Sequence, residues 1–349
     1  MSAVAHATLR RAESGVGLSE ALRARLAREM DQTVFSVVMP AYNTAATIGA
    51  AVDSVLAQTR PDFELIVVDD GSTDETSTLV EAIRDPRLRL IRQENRGAAA
   101  ARNAAVVEAR GRYVSFVDSD DLWLPTYLET MASTLELASP EVGFAYTDAW
   151  MLDPTGSWIG TSTAMTAQRP PATPPPTAEA LLLELLDRNF VYNAVTVRRT
   201  VLEQVGPFDQ ALRAAIDYEM WIRIAAHGHT ALRAPGLLAV YRCSRPGSIS
   251  LNRDRVYSSM LQVYEGVAAD PLVSQLVRDT AARRIAVIGR ALEQHRQSQN
   301  PVGVWPPVRA ILGRVKRAVL PPPAEWRTVP PPEITAAFPD LLAETTEAV

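Results

Sequence analysis

The sequence predicts an α/β fold built on a parallel, doubly wound sheet. Four short apolar runs rich in β-branched residues are typical of strands buried on both faces. They cover residues 34–39, 65–68, 88–91 and 113–117. Helical stretches lie between them at 46–57, 76–83 and 98–108. Strand–helix alternation at this spacing favours parallel strands joined by helices, and such sheets bind ligands at the carboxyl ends of their strands.

The rest of the chain can be divided by its composition and predicted secondary structure. Beyond the alternating region we predict a helix over 181–186, a strand over 194–198, a helix over 218–226 and helical structure over 255–296. The predicted domains are an N-terminal helical arm at 1–31, a main α/β domain at 32–252, a helical extension at 253–300 and a Pro-rich tail at 301–349. Within the main domain, 153–178 is expected to be a mobile, Pro-rich loop.

The tail is predicted to contain a short amphipathic basic helix around 305–320. Its apolar positions follow helical spacing and are Val308, Ile311, Leu312, Val315 and Val319. Basic residues surround this stripe, so the segment fits a helix lying in a membrane interface. A helix packed on its own domain has the same pattern, and that alternative stays open.

Composition excludes several classes of protein. The chain has 349 residues and 47% hydrophobic residues, which excludes disorder throughout. Its formal net charge of −5 argues against a nucleic-acid binder that relies on bulk charge. A single cysteine, Cys243, cannot form an internal disulfide. No apolar run reaches the about 20 residues of a membrane span. Arg10, Arg11 and Glu13 stand where a secretory signal would be apolar. We therefore expect a cytoplasmic protein, with peripheral contact at the inner face of the membrane as an open alternative.

Polar clusters follow three of the predicted strands. They begin after Met39, after Val68 and after Val117, and the last two are strongly acidic. Asp118 and Asp120 are two residues apart, so in an extended segment their side chains leave on the same side. Crowded carboxylates repel each other unless a cation or donor groups neutralise them, and Mg²⁺ or Mn²⁺ would suit such an oxygen pair and also bind substrate phosphates. The alternative that these acids only form turns and helix caps explains Asp74 and Ser72.

Several motifs in fixed order carry a resemblance to a known family. They are Pro40-Ala41-Tyr42-Asn43, the run Asp69–Asp74, Asn95-Arg96-Gly97 with Ala101-Arg102-Asn103, Asp118–Asp121, Val205–Asp209, Ile216–Arg223 and Tyr241-Arg242. Over residues 34–250 this order resembles family 2 glycosyltransferases of the GT-A fold, whose sheet is Rossmann-like and mostly parallel. A single short motif would be weak, whereas the preserved order makes the resemblance specific.

The resemblance implies a role for each matching residue. Those expected to bind the nucleotide sugar are Pro40, Tyr42, Asp70, Asn95, Arg102, Asp118 and Ser119, with the ring of Tyr42 stacking on the base. Asp118 and Asp120 match the acids of the family's DxD metal motif, which implies Mn²⁺ or Mg²⁺ as cofactor. Asp217 occupies the place of the catalytic base. Glu219 either supports that base or is an ordinary surface acid.

The implied reaction is transfer of a sugar with inversion at the anomeric carbon. The donor would be a nucleoside diphosphate sugar, with a UDP-sugar as the first expectation. The acceptor would be a saccharide, a lipid-linked molecule or a protein, in assembly of cell-surface polysaccharide, glycolipid or glycoprotein. One carboxylate base with in-line attack inverts the configuration, because no covalent intermediate forms.

Two positions depart from the family pattern. Ile216 stands where the family often has Glu before the base, and Ser244 stands where it often has a His that joins the metal site. Serine is a poor replacement for an imidazole ligand, so we predict looser metal binding. Arg242 and Arg245 would then offset diphosphate charge, unless they are ordinary surface arginines.

Other interpretations of the sequence are weaker. A nucleotidyltransferase would need a Gly-rich, basic loop after the first strand, where this chain has Asn43-Thr44-Ala45-Ala46. A catalytically inactive nucleotide-sugar binder or scaffold remains an alternative, against which the three acids Asp118, Asp120 and Asp217 argue. Trp123 is expected in the core and Trp158 stays open. His227 and His229 are expected at a helix C-terminus rather than a metal site.

Overall fold

The computed structural model describes residues 33–152, 171, 173–191, 194–243, 249–299 and 336–337. Several predictions fall outside these residues and remain predictions. They are the arm at 1–31, most of the loop at 153–178, Trp158, Ser244, Arg245 and the amphipathic segment at 305–320.

Eight strands form one sheet, in the order β3-β2-β1-β4-β7-β6-β8-β5. In chain order the strands are β1 (Phe35–Ala41), β2 (Phe63–Asp69), β3 (Leu88–Arg92), β4 (Tyr113–Phe116), β5 (Leu122–Trp123), β6 (Val142–Leu152), β7 (Val195–Arg198) and β8 (Thr230–Arg242). The helices are α1 (Ile48–Leu56), α2 (Thr76–Ala82), α3 (Ala98–Glu108), α4 (Tyr127–Glu136), α5 (Ala178–Asp187), α6 (Arg199–Val205), α7 (Ile216–Ala226), α8 (Arg253–Ala269) and α9 (Gln275–Gln299). A 3₁₀ turn at Ile249–Leu251 precedes α8.

The first four predicted strands form a parallel core, as the sequence predicts. Val38 of β1 aligns with Ile66 of β2 on one side and with Phe116 of β4 on the other, and β3 adds to β2 in parallel. Every residue of β2 and β4 is buried, because helices follow the parallel strands and cover their faces. The carboxyl ends of β1, β2 and β4 therefore meet at one edge, which places their polar clusters together.

The structure differs from the sequence prediction in four places. β4 and β6 both pair antiparallel with β7, and the prediction did not include β5, β6, β8, α4 and α6. β3 is only half-buried rather than buried on both faces, because it ends the sheet order and has one neighbouring strand. The helical stretch predicted over 255–296 is two helices, since Asp270 before Pro271 is extended, as residues before proline prefer.

Chain contacts divide the protein into two compact units. Unit 1 comprises Met1–Tyr146, Asn193–Pro207 and Leu232–Gly236, and unit 2 comprises Thr147–Tyr192, Phe208–Ala231 and Leu237–Val349. These limits do not coincide with the domain boundaries predicted above, which remain predictions. Unit 1 contains the polar clusters after β1, β2 and β4, whereas Asp217 belongs to unit 2. Among the described helices, none is long and apolar enough to cross a membrane.

Candidate functional site

The loops that follow β1 and β2 are bonded to each other. The backbone N–H of Asn43 donates to Ser72 Oγ at 3.0 Å, and the N–H of Thr73 donates back to Asn43 Oδ1 at 2.8 Å. Asp74 accepts from the N–H groups of Ala45 and Thr76, at 3.1 and 3.0 Å. Ser72 and Asp74 therefore make turn and loop contacts, whereas the N-cap position of α2 is Glu75, which has no side-chain cap. These bonds fix both loops at the sheet edge.

Asp69, at the end of β2, anchors the same turn. Its carboxylate accepts hydrogen bonds from the N–H of Ser72 and from the hydroxyl of Ser77. Burial raises the pKa of Asp69, but these hydrogen bonds and the charge of Arg92 outweigh the burial, so the pKa lies below its ordinary value. Asp69 is therefore a charged structural residue of the turn.

Asp70 holds the loop that leads into α3. Its Oδ1 accepts from the side-chain amide of Gln93 at 2.7 Å and from the N–H of Arg96 at 2.9 Å, and its Oδ2 accepts from the N–H of Gly97 at 2.7 Å. The side chain is only 3% exposed. Asp70 was expected to accept a hydrogen bond from a nucleotide base, and the structure shows that both of its oxygens already bind the 93–97 loop.

The 93–97 loop approaches Asp70 closely because glycine follows it. Gly71 has φ +75°, and a Cβ on it would lie 2.8 Å from the backbone nitrogen of Asn95. Only glycine accepts both the conformation and the contact without strain. The result is a compact corner on which Asn95 and Arg96 are exposed.

Pro40 and Tyr42 flank the same corner at the end of β1. Pro40 is half-buried, and Tyr42 is 48% exposed although most aromatic side chains of the described residues are buried. An exposed ring at the carboxyl end of a parallel strand offers a flat apolar face to a ligand. This position is compatible with the stacking role that the resemblance implies.

Three carboxylates cluster after β4. Single oxygens of Asp118, Asp120 and Asp121 all lie within 4.8 Å of one another. Asp118 and Asp120 are half-buried, and Asp121 is 3% exposed. Among the described residues this is the group of acids whose geometry suits a metal ion. Asp118 and Asp120 were predicted as ligands from the sequence, whereas Asp121 was not.

A buried arginine faces this acidic cluster. Arg102, in the first half of α3, donates from Nη2 to Asp118 Oδ1 at 2.8 Å, and its own side chain is 5% exposed. The guanidinium partly neutralises the three acids, which would otherwise repel one another strongly. Arg102 and Asp118 were predicted separately as donor-binding residues, and the structure brings them together.

The backbone around the cluster is fixed from two directions. Thr47, directly before α1, donates from its hydroxyl to the carbonyl oxygen of Ser119 at 3.0 Å. The N–H of Asp121 donates to the carbonyl oxygen of Asp118 at 3.1 Å, which closes a turn around Ser119. Ser119 is 4% exposed, so its backbone rather than an accessible side chain holds this part of the site.

Asp217 lies in unit 2, in the first turn of α7 and half-buried. Ala215 before it is in the left-handed region at φ 53°, which begins the helix abruptly. A helix N-terminus favours a negatively charged side chain, and Asp217 lies at that position. Glu219 in the same turn forms a two-pronged pair with Arg223, at 2.7 and 2.9 Å. That contact accounts for Glu219 without a catalytic role.

The structure also settles two minor expectations. Trp123 is 1% exposed and stacks on Tyr127 with ring centroids 3.7 Å apart, so its predicted core position is confirmed. His227 ends α7, and its Nδ1 lies 2.8 Å from the carbonyl oxygen of Arg223, as expected of a C-terminal position. Gln93, which sequence reasoning missed, carried no motif signal.

Comparison with known proteins identifies similar chains. The family profile described as Glycosyl transferase family 2 matches residues 36–153. The chain is 31% identical over 247 residues to the Escherichia coli UDP-Glc:alpha-D-GlcNAc-diphosphoundecaprenol beta-1,3-glucosyltransferase WfgD, covering 70% of this chain and 90% of that protein. It is 39% identical over 215 residues to the succinoglycan biosynthesis protein ExoO of Rhizobium meliloti, and this match spans 61% of each chain.

Solved structures share the fold at lower identity. TarS from S. aureus superposes with a TM-score of 0.59 at 19% identity, covering 79% of this chain and 77% of that one. The mannosyltransferase PcManGT from Pyrobaculum calidifontis, solved in complex with GDP-Man and Mn²⁺, superposes with a TM-score of 0.55 at 21% identity, covering 90% and 87%. These superpositions confirm the predicted GT-A fold.

Proposed function

The chain belongs to glycosyl transferase family 2 and is a glycosyltransferase. We propose that it is a metal-dependent enzyme that transfers the sugar of a nucleoside diphosphate sugar to an acceptor hydroxyl, with inversion of configuration at the anomeric carbon. The observation that carries this proposal is the cluster of Asp118, Asp120 and Asp121 with the guanidinium of Arg102 beside it. The cluster lies at the carboxyl end of the parallel strands, where α/β sheets bind ligands.

The cluster fits a hard divalent cation. Its donors are all carboxylate oxygens, which suit Mg²⁺ and Mn²⁺. Arg102 occupies one oxygen of Asp118, so we expect Asp120 and the second oxygen of Asp118 to hold the ion, with Asp121 beside them. When bound, the cation would stabilise the negative charge that develops on the leaving diphosphate. Ser244, at the usual position of a His ligand, is still expected to leave the ion more loosely held.

The remaining residues of unit 1 would place the nucleotide. The exposed ring of Tyr42 and the half-buried Pro40 provide an apolar face for the base, and the exposed side chain of Asn95 is available to the donor. Asp70 would hold the 93–97 loop through three hydrogen bonds, and its Oδ2, which accepts one of them, would accept a further bond from the base edge. Arg102 would keep the acidic cluster compact and face the diphosphate.

Asp217 would be the general base. An ionised carboxylate in the first turn of a helix can accept the proton of an acceptor hydroxyl as that hydroxyl attacks the anomeric carbon. A base that removes a proton without forming a covalent intermediate leads to inversion. Glu219 is not assigned a role, because its carboxylate is paired with Arg223.

We propose a UDP-sugar as donor and a lipid-linked saccharide as acceptor, in assembly of a surface polysaccharide at the cytoplasmic side of the cell envelope. Two relatives, WfgD and WfaP of Escherichia coli, are named as glucosyltransferases that use UDP-Glc and a diphosphoundecaprenol-linked sugar. A third, from Bacillus subtilis, is named a putative teichuronic acid biosynthesis glycosyltransferase. These names support the class of donor and acceptor.

Donor turnover tests the proposal. Purified protein is incubated with a panel of UDP-sugars and Mn²⁺, with and without diphospholipid-linked GlcNAc, and release of UDP and the anomeric configuration of the product are measured. We expect metal-dependent UDP release, an inverted product, and a loss of about 10²–10⁴-fold in kcat for Asp217→Asn.

Glu265→Gln is the matched control, since Glu265 is an exposed acid of α8 in the same unit and lies outside the motifs that carry the family resemblance. Its turnover should equal that of the wild type. Nucleotide binding without turnover on any acceptor would instead support an inactive binder or scaffold.

A further inference from the structure

A basic cavity in unit 2 lies outside the site described above. It has a volume of about 530 Å³ and is formed where the 3₁₀ turn, the first turn of α8 and the last turns of α9 meet. Its lining includes the basic residues Arg253, Arg255 and His295 and the aliphatic residues Ile249 and Leu251. None of the functions proposed above uses these residues.

The two arginines are placed where a cation is unfavourable. Arg253 and Arg255 stand in the first turn of α8, and the positive end of the helix dipole repels basic side chains there. Asp254, the acid of that turn, is paired with Arg296 of α9. Neither Arg253 nor Arg255 forms an ion pair with another described residue. The same arrangement of helix N-terminus and arginines would attract an anion.

The cavity has an apolar rim as well. Ile249 is 40% exposed and Leu251 is 52% exposed, although large aliphatic side chains of the described residues are mostly buried. These aliphatic residues lie beside arginines that form no ion pair with another described residue. The combination suits a membrane interface, because aliphatic side chains enter the acyl boundary and arginines bind lipid phosphates.

The tail of the chain is a poor occupant for this surface. Gln299 lines the cavity, and the tail continues from there. Its apolar stripe is accompanied by Arg309, Arg314, Lys316 and Arg317, and residues 300–324 contain no acidic residue. A basic segment would be repelled by Arg253 and Arg255, whereas an anionic lipid surface would attract both.

From this charge pattern and apolar rim, we infer that Ile249, Leu251, Arg253 and Arg255 form a docking surface for the anionic phosphate layer of a membrane. The surface is independent of the catalytic proposal, because it contains none of the residues assigned to transfer. It lies within unit 2, as does Asp217.

Vesicle binding tests the inference. The full-length chain is mixed with vesicles of phosphatidylglycerol or of phosphatidylcholine, and co-sedimentation is measured at low and high salt. We expect binding only to the anionic vesicles, weakened by salt. The double variant Arg253→Gln/Arg255→Gln should lower the binding constant about 30-fold, because each basic residue near an anionic membrane surface contributes a roughly constant binding free energy. Ile249→Ser/Leu251→Ser should lower it about tenfold.

Matched variants at other positions of unit 2 serve as controls. Arg283→Gln/Arg290→Gln removes two exposed arginines of α9, and Leu272→Ser/Leu276→Ser changes two exposed leucines that are 78% and 54% accessible. All of these positions are exposed, so folding should be retained, and thermal melting verifies it.

Three outcomes would overturn the inference. The first is a vesicle-binding result that does not depend on the cavity residues or on lipid charge. This would be seen if the cavity variants bound like the wild type, if the control variants lost as much binding as the cavity variants, or if neutral vesicles bound as well as anionic ones. The second is a change in the lipid-free sedimentation coefficient caused by the cavity variants, which would assign the surface to a second copy of the chain. The third is faster proteolysis of residues 300–349 in those variants without vesicles, which would assign the surface to the tail.

Discussion

The buried guanidinium of Arg102 donates a hydrogen bond to the carboxylate of Asp118, although 16 residues separate the two along the chain. α3 supplies the arginine and the end of β4 supplies the acid, so the parallel fold itself brings them together. The pair gives the acidic cluster one internal positive charge. A metal ion bound at the cluster and the guanidinium of Arg102 would therefore interact with the same carboxylates.

We predict that Arg102→Met destabilises the protein but increases its response to Mn²⁺. Loss of the buried partner should lower the free energy of unfolding by about 1–2 kcal/mol, since Asp118 is half-exposed and partly screened. Without the competing guanidinium the acids repel more strongly, so Mn²⁺ should raise the melting temperature more than it does in the wild type. Differential scanning fluorimetry with and without Mn²⁺ measures both effects.

Arg60→Met is the control for this prediction. Arg60 pairs with Asp62 at 2.6 Å, and both side chains are largely buried. The substitution should destabilise the protein while leaving the Mn²⁺ shift unchanged. An equal Mn²⁺ shift in the wild type and Arg102→Met would show that Arg102 does not act on the cluster.

The role of Asp70 leads to a second prediction. In Asp70→Asn an amide N–H₂ replaces one carboxylate oxygen and faces an N–H donor of the 93–97 loop. We expect a loss of about 1–3 kcal/mol and faster hydrogen exchange at the amides of Arg96 and Gly97. Glu94→Gln, an exposed change in the same loop, should leave that exchange as it is in the wild type. Unchanged protection of the two amides in Asp70→Asn would refute the anchoring role.

Gly71 provides a third prediction. Gly71→Ala places a Cβ 2.8 Å from the backbone of Asn95 at a positive φ, and the left-handed conformation alone costs about 1–2 kcal/mol. Gly49→Ala in α1 meets no atom within 4 Å and should stabilise the helix by about 0.5–1 kcal/mol. Urea denaturation of the two variants should therefore give opposite signs. A tolerated Gly71→Ala would mean that the corner at 93–97 is looser than described.

The carboxylate of Asp69 makes part of the stability depend on pH. Its folded pKa lies below the ordinary value of 3.8, so the unfolded chain takes up a proton first as the pH falls. The stabilisation is complete above about pH 4 and is lost as the pH falls through the lower folded pKa. Ser77→Ala removes one of the bonds that lower this pKa. The loss of unfolding free energy caused by Ser77→Ala should therefore be largest at neutral pH and smaller at acidic pH. Urea titrations at several pH values can measure this. A destabilisation that does not change with pH would exclude this linkage.

Much of the parallel core was predictable because its signals are local. β1, β2 and β4 are short apolar runs whose residues are nearly all buried, and helical stretches separate them. β8 was not predicted because Pro235 and Gly236 interrupt it and its burial alternates irregularly along the strand. The break between α8 and α9 at Pro271 follows from the chemistry of proline, but the helical pattern on both sides concealed it.

In the candidate site, too, only the features with a local sequence signal were predictable. Asp118 and Asp120 could be identified from their spacing at the end of a strand, since that spacing places both side chains on one side. Asp121 points to the same cluster only because a turn closes around Ser119, which the spacing does not reveal. Gln93 and the three bonds on Asp70 depend on how the 93–97 loop returns to the sheet. Such contacts between distant segments leave no periodic signal in the sequence.

Electron paramagnetic resonance of Mn²⁺ tests the central claim most directly, namely that the carboxylates after β4 hold the cation of the transfer reaction. Free Mn²⁺ is titrated against the wild type, Asp120→Asn and Asp121→Asn, with and without UDP. We predict that UDP tightens Mn²⁺ binding in the wild type, that Asp120→Asn lowers the affinity at least about tenfold, and that Asp121→Asn lowers it less. Equal Mn²⁺ affinity in the wild type and Asp120→Asn, with or without UDP, would contradict the account.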